Sequence, residues 1–177
     1  MLLLAEFGSV SAVLGARRSR LAACLPSHPA IVALLVSAAT AMRHGLAEQI
    51  LVGPLLPDLR TVVDYLRIDL EHLPFERVRV LYLSARHHLI SDEIVCDGGL
   101  GSADIAPRQV VGRALELAAA GVVLAHNHPS GDPTPSQADI ELTRHVAAAG
   151  QPLGVSVLEH IVIGFGEHRS FRALGFL

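Results

Sequence analysis

The tightest constraint on this chain sits at residues 122–129, where the apolar run Val122-Val123-Leu124-Ala125 passes without a break into His126-Asn127-His128-Pro129. A short, fully apolar run of this kind reads as a strand covered on both faces of a sheet. In extended backbone, residues i and i+2 point to the same side. The imidazoles of His126 and His128 can therefore reach one metal ion at about 2.0–2.1 Å. The plain alternative is a pair of surface histidines in a loop. Their place at the C-terminal end of a strand, and the Pro and Gly residues that restrict the loop beyond, favour the ligand reading.

A carboxylate follows one short loop later. Ser136-x-x-Asp139 has the spacing of a capping box, but a better cap stands one step earlier. Thr134 can be the N-cap, with Pro135 at the favoured first helical position and Gln137 three residues after the cap. This predicts that Ser136 and Asp139 are spared from capping and share one face of the first turns, looking back at the histidines. Asp132 is a rival carboxylate, but between Gly131 and Pro133 it reads as a turn residue. Two imidazoles and a carboxylate suit zinc, and three ligands leave a fourth position open, as catalytic sites require.

The rest of the chain interleaves helices and strands, which predicts an α/β sandwich. Residues 1–50 are rich in Ala and Leu and read as short helices, the last over 29–48. The apolar stretch 30–42 falls short of the roughly 20 residues of a membrane span and reads as a buried helix. Gly53-Pro54 and Pro57-Asp58 mark a linker. Asp58 is placed to cap a helix to about Leu73, with Val62, Leu66 and Leu70 at helical spacing. Residues 77–83 alternate as a strand with Val78, Val80 and Tyr82 on one face, and 89–96 form its hairpin partner across a turn at His87-His88. Gly98-Gly99-Leu100-Gly101 opens a loop. A helix over 107–120 then buries Val110, Val111, Ala114, Leu115 and Ala118 and is ended by Gly121. The last helix runs to Ala149 and stops at Gly150, and residues 153–158 and 160–164 supply two more strands.

Composition narrows the function classes. Hydrophobic residues make up 51 % of the 177 and charged residues 18 %, which fits one full domain with a small appendage and argues against long disorder. With no Trp, the core rests on Leu, Val, Ile and Ala. A net charge of −3 argues against a broad phosphate-binding surface. Cys24 and Cys96 form no C-x-x-C pair, so a thiolate metal site or disulfide framework is unsupported and a reducing cytoplasm fits best. Met1-Leu2-Leu3-Leu4 meets Glu6 too soon for a signal-peptide core, and no membrane association is expected.

His126-x-His128, seven intervening residues, Ser136, two more and Asp139 resemble the JAMM motif of the MPN (JAB) metalloprotease fold. The longer run His126-Asn127-His128-Pro129-Ser130-Gly131-Asp132-Pro133 is similar to the RadC branch of that fold. Arg108-Gln109-Val110-Val111 before it, and Glu159-His160-Ile161-Val162-Ile163-Gly164 and Ser170-Phe171-Arg172 after it, extend the resemblance over roughly residues 60–177. It implies a cytidine-deaminase-like α/β sandwich of MPN type over 58–177, preceded by a small helical domain over 1–52. It also implies Zn2+ on His126, His128 and Asp139. The family's upstream glutamate matches Glu93, with Ser102 and Pro107-Arg108 at family-like positions. The residues alone do not choose Glu93 over Asp92, Glu76 or Glu71, and would make Glu93 an exposed strand carboxylate.

The implied chemistry is hydrolysis of an amide bond in a protein or peptide. Zinc lowers the pKa of a bound water to about 7 and polarises the carbonyl. Glu93 takes the water's proton and passes it to the leaving amine, and Ser136 donates to the oxyanion. Asn127 stands where many JAMM proteins have Ser or Thr, which bears on the surroundings of the ligands. Glu159 stands where the family usually has Asp. His160 beside it reads as a buried, hydrogen-bonded histidine rather than a ligand. His87, His88, His145 and His168 read as solvent-facing, and Arg17-Arg18-x-Arg20 as a solvated helix end. The string His126-Asn127-His128 is a coincidental match to HNH nucleases, whose three residues are dispersed. The deaminase pattern H-x-E with P-C-x-x-C is absent.

Leu4-Ala5-Glu6-Phe7-Gly8-Ser9-Val10 resembles the region before the JAMM domain in RadC proteins, where it belongs to a helix-hairpin-helix-like domain. The hairpin's Gly-x-Gly is replaced by Leu25-Pro26-Ser27-His28-Pro29, so the domain reads as degenerate. Two other functions compete with the hydrolase. A RadC-type DNA-repair or DNA-processing factor would need a basic groove. A noncatalytic MPN scaffold would not need a complete ligand set.

Overall fold

The computed structural model describes residues 2–55, 59–98 and 105–177, with the side chains of Gln49 and Val52 left out. The cap expected at Asp58, the loop residues Gly99-Leu100-Gly101 and Ser102 lie outside the described residues. The fold is α/β, built on a five-stranded sheet in the order β2-β1-β3-β4-β5. The strands are β1 (Arg77–Leu83), β2 (Leu89–Asp97), β3 (Gly121–Asn127), β4 (Ser156–Ile163) and β5 (His168–Ser170). β3 lies antiparallel to β1 and parallel to β4. Every residue of β3 is buried, as its unbroken apolar run demands.

Helices cover both faces. α5 (Leu59–Leu70) lays Val62, Val63, Leu66 and Leu70 against Leu81, Leu83, Val123, Ala125, Ile161 and Ile163. On the other face, α6 (Pro107–Glu116) and α7 (Gln137–Gly150) pack Val110, Val111, Ala114, Leu142 and Val146 against Val78, Val80, Tyr82, Val122 and Leu124. The two-residue period of β1 sorts its side chains between these layers. Val78 faces α6 and α7, so His126, its register partner, faces them too.

Three boundaries differ from the sequence reading. The α6 helix ends at Glu116, four residues early, in a Schellman turn: Ala119 N–H donates to Ala114 C=O and Ala118 N–H to Leu115 C=O. Ala118 takes the left-handed position at φ 52°, leaving Leu115 and Ala118 exposed. Gly121 instead opens β3, where a Cβ would run into Leu158. Residues 151–153 form a 3-10 turn, and the two strands expected near the C-terminus are one, β4, with a register shift at Leu158. The short strand β5 was not foreseen.

The N-terminal region is helical: α1 (Leu2–Phe7), α2 (Val10–Gly15), α3 (Arg18–Cys24) and α4 (Pro29–Val52). The expectation of a buried, short apolar helix at 30–42 is overturned. α4 is long and apolar enough over Pro29–Glu48 to cross a membrane by length and composition, yet only 11 % of that window is buried. Its inward positions are Val32, Ala39 and Ile50. The helix stays mostly exposed because it packs on one side only, against α2, α3 and α5. Polar contacts tie this region to the sheet. Arg43 donates to Asp69 (2.8 Å), Asp69 also accepts from Arg79 (2.8 Å), and Arg79 pairs with Asp92 of β2. Ser11 donates to the buried carboxylate of Glu71 (3.1 Å).

These boundaries set a stability contrast. Leu66→Ala removes a fully buried side chain between α5 and the sheet and is expected to lose about 2–5 kcal/mol. Leu115→Ala, on the exposed side of α6, is expected to stay within about 0.5 kcal/mol. Urea unfolding of the two variants checks both.

Candidate metal centre

β3 ends in three polar residues whose side chains are each held differently. His126 is fully buried, and its Nδ1 lies 2.9 Å from His160 Nε2. Asn127, also fully buried, turns to the other side, where its Oδ1 accepts from Arg77 N–H (2.9 Å) and its Nδ2 donates to Phe75 C=O (3.0 Å). His128 leaves the sheet, with its Nδ1 against Asp132 C=O at 2.8 Å. A carbonyl only accepts, so the His128 proton sits on Nδ1 and Nε2 faces inward.

The α7 helix supplies the carboxylate. Its N-cap is Ser136, not Thr134, and Ser136 and Asp139 form the capping box that the sequence reading set aside. Ser136 Oγ accepts from Asp139 N–H (3.2 Å), while Asp139 Oδ2 accepts from the backbone N–H (2.8 Å) and hydroxyl (2.7 Å) of Ser136. Thr134 lies in the turn before the helix, where its N–H and hydroxyl both donate to Asp132 Oδ1 at 2.9 and 2.7 Å. Asp132 thus fills the turn role. Capping does not remove Asp139 from the site. Its Oδ1 lies 3.2 Å from His126 Nε2 and its Oδ2 lies 3.3 Å from His128 Nε2.

The donor set fits a small divalent cation. His126 Nε2 and His128 Nε2 stand 3.1 Å apart. A tetrahedral ion with bonds of about 2.0–2.1 Å has ligand atoms about 3.3 Å apart; the two imidazole nitrogens fall within a few tenths of that, and Asp139 offers one oxygen near each of them, Oδ1 at 3.2 Å from His126 and Oδ2 at 3.3 Å from His128. Without an ion, a proton does part of this work. A hydrogen bond to Asp139 raises the pKa of His128 above its ordinary value, helped by Asp132 C=O and the charges of Asp139 and Glu76. Burial and the neighbouring His126 hold His160 well below the ordinary range, so it is neutral.

The structure brings together His126, His128, Asp139 and Ser136, and it does not bring Glu93 to them. Glu93 pairs with Val80, which pairs with Leu124, so it lies two strands from β3 and off the row of His126. Its carboxylate accepts from Arg113 (2.8 and 3.0 Å) and Ser91 (2.9 Å), and Arg113 holds its pKa below the ordinary carboxylate range. Besides Asp139, a carboxylate whose charge reaches His128 is Glu76. It precedes β1 by one residue, is half-buried, and acts electrostatically on His128. No sequence signal singles it out, because its relation to His126 comes from the register that pairs Val78 of β1 with His126.

Two glycines seat the loop between ligands. Gly131 has φ 86°, and a Cβ there would strike the Phe165 ring, while one on Gly164 would strike Gly131 C=O. This approach lets Phe165 N–H donate to Gly131 C=O (2.9 Å) and holds the loop against the end of β4. Elsewhere, His88 and His145 are exposed, and His87 and His168 are half-buried. Arg17 lies over the Phe75 ring and Arg20 over the Phe7 ring, at 4.9 and 4.7 Å to the centroids.

Two outcomes follow from this geometry. Ser136→Ala should lose about 1 kcal/mol of stability and Thr134→Ala less, read by thermal unfolding of the metal-free protein. The His128 pKa is raised above the unfolded value of about 6.5. Its pairing with Asp139 therefore stabilises the metal-free fold fully below that pH, and the contribution fades as pH rises through the shifted pKa. Metal must displace the same proton, so affinity for divalent zinc, measured by chelator competition, should rise across that window.

Comparison with known proteins gives the family of the chain. Residues 56–176 match the RadC-like JAB domain family. A UPF0758 protein of Rhodobacter capsulatus is 41 % identical over 175 residues, spanning 99 % of this chain and 82 % of its own length. UPF0758 proteins of Stutzerimonas stutzeri strain A1501 and Azotobacter vinelandii are 41 % and 39 % identical, each over 99 % of this chain and 78 % of their own length. With its His-His-Asp cluster at the end of a central strand, the chain belongs to the RadC-like JAB domain family.

Proposed function

We propose that this protein is a zinc-dependent hydrolase of amide bonds, acting on a protein or peptide. The observation that carries the reading is the convergence of two imidazole Nε2 atoms and one carboxylate, all within 4.8 Å of one another, at a half-open strand end. His126, His128 and Asp139 would hold the zinc. Bound there, it would supply a Lewis acid and a water acidic enough to be deprotonated near neutral pH.

The chain's own residues supply the rest. Glu76 is the proposed general base, in place of Glu93. Its charge acts on His128, whereas Glu93 is held ionised by Arg113, a poor state for a group that must take up and release a proton near neutral pH. Ser136, exposed at the rim, keeps its proposed role as donor to the oxyanion, swinging its hydroxyl from Asp139 Oδ2. A DNA-directed role is the weaker reading: Arg17 and Arg20 stack on the chain's own phenylalanines. Cys24 and Cys96 form no disulfide, which suits a reducing cytoplasm, where we place the protein.

Elemental mass spectrometry on the purified chain should find about one zinc per chain, lost in the double variant His126→Ala/His128→Ala and in Asp139→Ala. A screen of peptide and isopeptide substrates should then find hydrolysis that drops by about 100-fold or more in Glu76→Gln with zinc retained. Glu93→Gln should retain both. No metal after zinc reconstitution sinks the hydrolase reading, and loss of activity in Glu93→Gln alone returns the base role to Glu93.

A further inference from the structure

We infer that His160 and Thr143 form an internal proton relay that sets the tautomer of His126, making His160 a positioning residue for metal binding. The inference rests on the proposal above that His126 is a metal ligand. The relay is a chain of three short hydrogen bonds, all buried. His126 Nδ1 meets His160 Nε2 at 2.9 Å, His160 Nδ1 meets Thr143 Oγ1 at 2.7 Å, and Thr143 Oγ1 meets Asp139 C=O at 2.7 Å.

The direction of the protons follows from the last link. The Asp139 carbonyl can only accept, so Thr143 donates its one hydroxyl proton to it. Thr143 Oγ1 is then an acceptor for His160, which places the His160 proton on Nδ1. His160 Nε2 is left with a lone pair and accepts from His126 Nδ1–H. The remaining lone pair of His126 is on Nε2, the atom that faces His128 and Asp139. Run in reverse, the relay would put a proton on His126 Nε2, pointing into the ligand cluster, and would leave the Asp139 carbonyl without the threonine donor. The reverse order would trade the 2.7 Å Thr143–Asp139 bond for a longer one of 3.2 Å from His126 Nε2–H to Asp139 Oδ1, so the forward order keeps the shorter of the two bonds.

The two histidine ligands are therefore oriented by different devices. His128 is set directly by a carbonyl, Asp132 C=O. His126 sits too deep in the sheet for that, and β4 delivers an imidazole in place of a carbonyl. Phe171 stacks on His160 at 4.3 Å between ring centroids and fixes its plane. Thr143 lies one helical turn after Asp139, so a single helix face carries both a ligand and the residue that orders the relay.

The test uses the full chain with zinc as the probe. Zinc affinity is measured by chelator competition, and the ring-proton position of His126 is read by nitrogen NMR on isotope-labelled, metal-free protein. Wild type should carry the proton on Nδ1. The near-isosteric Thr143→Val removes the ordering hydroxyl without a cavity. It should give a mixture of His126 tautomers and weaken zinc about tenfold, and Thr143→Ser should restore both. His160→Ala should weaken zinc about 10–100-fold. Because His160→Ala can unfold the core beside Phe171, Thr143→Val decides. Wild-type affinity in Thr143→Val with the Nδ1 proton unmoved overturns the relay. A wild type that binds no zinc overturns the hydrolase reading instead, and the NMR measurement still upholds or overturns the relay.

Discussion

Three consecutive polar side chains at the end of a buried strand must each find a partner, and most of this site is the answer to that requirement. β3 is covered along its whole length, so an unsatisfied imidazole or amide there would be destabilising by several kcal/mol, of order 2–7 kcal/mol for a buried polar group. Strand alternation sends His126 toward α7 and Asn127 toward the opposite layer. His126 is met by His160 from the parallel neighbour β4. Asn127 is met by the backbone on both sides of Glu76, through Phe75 C=O and Arg77 N–H. The residue between the two ligands thus fixes the segment that carries the third candidate carboxylate. Satisfying the strand end and assembling the site are the same event.

The start of α7 shows the same economy. Four N–H groups at a helix N-terminus lack intrahelical partners, and Ser136 with Asp139 answers two of them reciprocally. The carboxylate that closes the box also faces both histidines, because Oδ2 takes the serine while Oδ1 reaches His126. The helix N-terminus favours a negative charge there as well. Capping and a place in the metal cluster are not alternatives for Asp139, because a carboxylate with two oxygens can close the box and still face both histidines.

The N-terminal helices are joined to this layer by paired charges as well as by Ile50 of α4 in the core under α5. Asp69 of α5 accepts from Arg43 of α4 and from Arg79 of β1 at 2.8 Å each. Arg79 is almost wholly buried, and the carboxylates around it, Asp92 foremost, raise its pKa against the burial that lowers it. Such a charge tolerates burial only while its partners stay in place, so the α4–α5 contact and the β1–β2 hairpin are coupled. Phe75 carries the contact further, with Arg17 over its ring and Gly98 packed against it.

Much of this was legible in the sequence by itself. The β1–β2 hairpin, the buried apolar strand at 122–125 and the inward face of α5 follow from periodicity, which is local. His126, His128 and Asp139 were legible because spacing along a strand and a first helical turn is also local. What escaped were features that depend on which elements lie side by side. Glu76 and Glu93 are equally plausible strand carboxylates until the β1–β3 register pairs Val78 with His126 and puts Glu93 two strands away. Thr143 is an ordinary helix residue until β4 brings His160 to it. The N-cap was misplaced because Asp132 captures Thr134 across a turn whose shape depends on Gly131 and Gly164 meeting. The sequence by itself determined the strands, the helices and the ligand types, since each reflects the period and chemistry of neighbouring residues. Only the tertiary structure decided that Glu93 lies two strands from the histidines and that His160 meets the His126 ring, because both are set by sheet register and by contacts between residues far apart in the chain.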